Sequence, residues 1–175
     1  MREIGHIRLR VPEPGALTRL LFGDGVPPAW LRVETGLMPR IVAWSVSDSS
    51  AAASFDGPRA VILATVDADR AAGELGAQFG DGWTDTGRDD LLGANCRRLP
   101  VGRSLLVLAE PSTEGYTAAC LARFGEGPIG VAMAAPAGVV PAGGRHAARN
   151  PVDDGSATYL RIGPGTAPTF ILLSA

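Results

Sequence analysis

The chain has 175 residues, 46% of them hydrophobic, a formal charge of -2, and 16 positive side chains that are all arginine. Without lysine it has no Schiff-base amine, no lysine general base and no phosphate loop of the kind that ends in lysine. Near-neutral charge with 6% aromatic residues argues against a basic nucleic-acid face, no apolar run reaches the roughly 20 residues of a bilayer span, and two cysteines without metal-finger spacing fit a cytoplasmic thiol setting.

Residues 6–11 alternate polar and apolar side chains, which predicts a half-buried strand with His6, Arg8 and Arg10 on one face and Ile7, Leu9 and Val11 on the other. Pro12-Glu13-Pro14-Gly15 then opens a short helix through Leu17, Leu20 and Leu21 that Gly23 stops. Residues 30–34 and 41–46 read as strands. A buried strand follows at 61–66, and Asp67 caps a helix whose face is Ala68, Ala71, Ala72, Leu75 and Phe79, ending at Gly80. Strands at 95–100 and 104–109 come next, then a helix from Tyr116 to Phe124 and strands at 129–135, 158–162 and 169–173. The stretch around Gly143-Gly144-Arg145-His146 reads as a polar loop or lid.

Three near-copies of one tetrapeptide punctuate this order: Phe22-Gly23-Asp24-Gly25, Phe79-Gly80-Asp81-Gly82 and Phe124-Gly125-Glu126-Gly127. Each closes a helix, so none can serve as a phosphate loop, which must open one. The flanks of the first two copies match as strand, helix, then strands. The chain therefore divides into an N-terminal partial unit, residues 1–57, and a paired unit, residues 58–175.

Three segments carry a family resemblance. Ala60-Val61-Ile62-Leu63-Ala64-Thr65-Val66-Asp67-Ala68-Asp69-Arg70-Ala71-Ala72 resembles the opening strand and helix of the vicinal oxygen chelate superfamily, the glyoxalase, bleomycin-resistance and methylmalonyl-CoA epimerase-like proteins. Residues 93–111 are similar to its epimerase-type hairpin, and residues 122–133 to the segment entering its second module. The resemblance implies an α+β fold of repeated βαβββ modules whose curved mixed sheets enclose a cavity holding one divalent metal. Carried over by position, the ligand sites fall on Ala60, Val107, Gly130 and a leucine near Leu172, none of which offers a donor, so no metal and no cofactor is expected. His6 falls on a ligand-type position of the N-terminal unit, but one imidazole is a weak site. Residues 1–57 either complete a sheet with the C-terminal strands or pair with a second protomer as a homodimer.

Two settings are open for the strand at 6–11: its polar face looks into the cavity, or it faces water. In the first, His6 is a general acid or base and Arg8 and Arg10 hold an oxyanion. Small residues on the faces of Ala60 and Gly130 either leave a wide apolar pocket or merely allow close packing. Trp44 and Trp83 stack on a flat ligand or fill the core. Asp67 and Glu110 read as structural, Cys96 and Cys120 as buried small hydrophobes, and Ser104 has no nucleophile-elbow context. The leading expectation is a metal-independent enzyme that isomerises, cyclises or eliminates on a mid-sized, largely apolar molecule of bacterial specialised metabolism, bound through His6, Arg8, Arg10, Ala60, Trp44, Trp83 and Gly130. The alternative is a small-molecule sequestration protein without catalysis. Neither involves nucleic acid or a membrane.

Overall fold

The computed structural model describes residues 2–23, 25–48, 57–135, 143–161 and 168–174. Two sheets result. The smaller contains β1 (Arg2–Val11), β2 (Leu31–Thr35) and β3 (Arg40–Asp48) in the order β2-β1-β3, with helix α1 (Pro14–Phe22) crossing from β1 to β2. The larger has eight strands: β4 (Ala60–Ala64), β5 (Thr84–Asp89), β6 (Ala94–Val101), β7 (Ser104–Pro111), β8 (Gly127–Ala134), β9 (Arg145–Ala147), β10 (Ala157–Arg161) and β11 (Thr169–Leu173). Its order is β5-β6-β7-β4-β8-β11-β10-β9, and it curls into a half-barrel of the glyoxalase type. Helices α2 (Ala68–Phe79) and α3 (Tyr116–Phe124) complete the fold. No helix among the described residues is long and apolar enough to cross a membrane.

The large sheet is two four-stranded halves of equal topology. In each the first strand runs parallel to the last, β4 with β7 and β8 with β11, and the halves join where β4 and β8 pair antiparallel. One irregularity interrupts that joint, a register shift between Ile62 and Leu63 that leaves an extra residue, Ile129, in β8. The small sheet is connected differently. Its first strand β1 is central, parallel to β2 and antiparallel to β3, so residues 2–48 form a sheet of their own.

The repeated tetrapeptide has one physical job. Gly23, Gly80 and Gly125 each take positive φ (60°, 104° and 73°) just past a helix, and each N–H returns to a carbonyl of the last turn, on Arg19, Gly76 and Leu121. Asp67 caps α2 as its sequence predicts, accepting from the Arg70 N–H at 2.9 Å. Two strands are absent from the pattern reading. β5 has the sequence TDTGRD and buries only Thr86 and Asp89; β9 is three residues long and replaces the loop expected around His146. Both lie at the outer ends of the sheet, where hydrophobic alternation is weakest.

The two faces of the large sheet are covered by different elements. On the outer face Val61, Leu63, Leu106, Leu108, Val131, Phe170 and Leu172 join one core with α2 and with the apolar side of the small sheet, including Ile7, Leu9, Ile41 and Trp30. The small sheet thus roofs the outer face of the large one, with β3 lying against β8 and β1 against β6. Truncating Phe170, which is fully buried in this shared core, is expected to cost ~3–5 kcal/mol. Urea unfolding of Phe170→Ala measures it, and Leu37→Ser, at a 99% exposed position, should leave the midpoint unchanged.

Candidate functional site

The inner face of the half-barrel is where the family resemblance implies a cavity, and it is packed. Ala60, Ile62, Val107, Ala132 and Ile171 are fully buried, and α3 lies over them with Tyr116 and Cys120. Gly130, paired with Ile62 across the joint, leaves no room for a side chain: a Cβ there would stand 2.9 Å from the Thr169 carbonyl oxygen. The small residues therefore serve close packing, and the wide apolar pocket expected beside Ala60 and Gly130 is filled. Strand parity also moves the fourth expected metal position. Leu172 belongs to the outer core, and the inward residues of β11 are Ile171 and Leu173. Ala60, Val107, Gly130 and Ile171 offer no imidazole, carboxylate or thiolate, so the side chains at these positions do not fit a divalent metal. Among the described residues no cluster of three His, Cys, Asp or Glu side chains could hold one.

The ends of the curled sheet are tied together over this packed interior. The Tyr159 hydroxyl of β10 donates to the Asp89 carboxylate of β5, a contact that only the concave side permits. Asp89 also accepts from the Leu92 N–H at 2.7 Å. Burial first, and then the Asp89 charge, push the Tyr159 hydroxyl well above its ordinary value and the Cys96 thiol up to about 12. Neither group is a proton carrier near neutral pH. The seam between β5 and β9 holds a cavity of about 430 Å³ bordered by Arg88, Asp90, His146 and Arg149. The Arg149 guanidinium spans from that seam to the Thr86 carbonyl at 2.9 Å.

The residues singled out from the sequence fall in three separate places. His6, Arg8 and Arg10 are exposed on the outward face of the small sheet, where His6 and Arg8 border an open depression with Arg32, and Arg10 and Arg32 pair with Glu34. Trp44, in register with Ile7, also borders that depression, while its ring packs toward the core 6.3 Å from the Phe79 ring. Trp83 is half-buried against the same core, its Nε1–H donating to the Ala72 carbonyl at 3.1 Å. Ala60 and Gly130 lie inside the half-barrel. Of these seven, the structure brings His6, Arg8 and Trp44 to the border of one depression and leaves Arg10, Ala60, Trp83 and Gly130 outside it.

The cleft that the sequence did not reveal lies between the small sheet and the corner joining α3 to β8. It encloses about 450 Å³. Its apolar lining includes Ile41, Phe124, Ile129 and Pro168, with Arg40 and Arg123 also on its wall. The extra residue in β8 supplies Ile129, and the glycine stop after α3 exposes the corner. Glu126 fixes that corner to the turn after β4. It accepts from the Thr65 hydroxyl at 2.6 Å, the Val66 N–H at 2.8 Å and the Arg70 guanidinium at 2.6 Å. These donors, the Thr65 hydroxyl first, hold its carboxyl below the usual range.

No protein-family model matches the sequence, and no curated protein matches it. Solved structures do match. Methylmalonyl-CoA epimerase from Mycobacterium tuberculosis shares 18% identity at a TM-score of 0.51 over 72% of this chain and 92% of that one. The Streptomyces coelicolor methylmalonyl-CoA epimerase in complex with 2-nitronate-propionyl-CoA shares 21% at 0.52, over 67% and 96%. A methylmalonyl-CoA epimerase in complex with methylmalonyl-CoA and ammonium shares 20% at 0.50, over 67% and 93%. At these identities the likeness is one of fold, and the chain carries the vicinal oxygen chelate fold.

Because the folded Glu126 carboxyl titrates below its ordinary value, its contribution is present above the normal carboxylate range and is lost as the pH falls through that lowered value. Glu126→Gln is expected to cost about 1 kcal/mol or less at neutral pH after solvent screening of this exposed group. Thermal melts across pH should show the difference from the unaltered chain closing under acid conditions.

Proposed function

We propose that the protein is a metal-independent small-molecule binder of the vicinal oxygen chelate fold, taking a mid-sized, largely apolar organic molecule into the cleft between the small sheet and the α3–β8 corner. One observation carries this reading: the half-barrel interior is packed and Ala60, Val107, Gly130 and Ile171 offer no metal donor, whereas the cleft has apolar walls and a volume of about 450 Å³. That volume falls within the roughly 300–1,000 Å³ range of small-molecule sites. Binding here needs no proton carrier, and Glu126, the one carboxylate on the cleft wall among the described residues, is already engaged by three donors.

A second reading rests on the open depression over β1, where His6 and Arg8 stand beside Arg32. There His6 would move a proton while an arginine steadies the developing oxyanion, in an isomerisation, cyclisation or elimination within bacterial specialised metabolism. The epimerases that share the fold lend this reading an isomerase precedent. The exposure of His6 weighs against it, because general acid–base chemistry gains from a site that excludes water.

Native mass spectrometry of the protein purified under mild conditions separates the two. A co-purifying small molecule should persist in His6→Ala and be lost in Ile129→Trp, which fills the cleft. Loss in His6→Ala with retention in Ile129→Trp would transfer the site to β1.

A further inference from the structure

The cleft's charges carry its chemistry further. Arg40 lies at the start of β3 and Arg123 on the last turn of α3, so the cleft has an arginine on each of two opposite walls. Among the described residues neither meets a carboxylate. Arg123 donates to the Met38 sulfur at 3.1 Å and sits 5.7 Å from the Phe124 ring centroid, contacts that position the group without answering its charge. Six arginines elsewhere, Arg32, Arg70, Arg88, Arg97, Arg98 and Arg149, do pair with an acid. Among the described residues the single acid on the cleft wall, Glu126, has its charge met by Arg70.

Resting on the binding reading above, we propose that the ligand is an amphipathic organic anion: a carboxylate, sulfonate or similar acid whose head group sits between Arg40 and Arg123 and whose apolar body lies along Ile41, Phe124 and Ile129. The guanidinium is the cation suited to this task. It stays charged at every usable pH, is weakly hydrated and presents paired N–H donors that match a planar anion. An acid's head group brought to these cations answers their charge, so affinity and charge complementarity act in the same direction. A neutral molecule of equal size would gain only the apolar contacts.

Two dyes of nearly the same shape test this: anilinonaphthalenesulfonate, an anion, and uncharged N-phenylnaphthylamine. Fluorescence titration should give tighter binding of the anion. Arg40→Gln and Arg123→Gln should each weaken the anion by roughly tenfold, the worth of one charged hydrogen bond, and leave the neutral dye unchanged. Ile129→Trp should weaken both dyes, and Arg32→Gln, outside the cleft, neither. Thermal melts of each variant confirm that dye is not reporting unfolding. Equal affinity for the two dyes, with arginine variants inert and Ile129→Trp blocking both, overturns the anion proposal and leaves the cleft intact. Dye binding untouched by Ile129→Trp as well as by both arginine variants overturns the cleft reading itself.

Discussion

The antiparallel pairing of β4 with β8 is the contact on which the molecule depends. It turns two four-stranded halves into one eight-stranded sheet, and it sets Ala60 opposite Ala132 and Ile62 opposite Gly130 at the centre. Small residues at this joint let the halves meet closely and curl. Curling brings β5 and β10 within reach of the Asp89–Tyr159 hydrogen bond, which closes the interior. The same curl leaves an outer face of large aliphatic residues that no single helix covers, and the small sheet takes up the remaining area. The cleft arises where that added sheet meets the corner after α3.

Much of this was legible in the residues. The helix stops followed from the glycine repeats, the α2 cap from Asp67, and the central strands from continuous apolar runs such as Val61 to Ala64 and Leu105 to Ala109. The absence of donors at Ala60, Val107 and Gly130 was visible too, because ligand chemistry depends on residue type rather than on position. Edge strands β5 and β9 were not legible, since short polar segments at a sheet's end are held by backbone pairing and bury few side chains.

Orientation was the harder matter. The alternation from His6 to Val11 separates two faces correctly, but it says nothing of which face meets the rest of the chain, and both settings fit the same six residues. The apolar side found a partner in the outer face of the large sheet, which left His6, Arg8 and Arg10 in water. Trp44, in register with Ile7, faces the core for the same reason. The cleft was invisible for a related cause. Its walls come from segments some eighty residues apart, Met38 to Val42 and Cys120 to Ile129, and neither has a motif of its own.

The shared outer core also orders events during synthesis. Ile7, Leu9, Ile41 and Trp44 are made early, yet their packing partners Val131, Phe170 and Leu172 are among the later residues to leave the ribosome. At the usual rate of about 5–20 residues per second, the small sheet's apolar face waits several seconds for its cover. During that interval it is an exposed, β-rich and largely uncharged surface with two open edges, the kind that chaperones hold and that neighbouring nascent chains capture. The roof that stabilises the finished molecule is thus its most vulnerable part while the chain is being built.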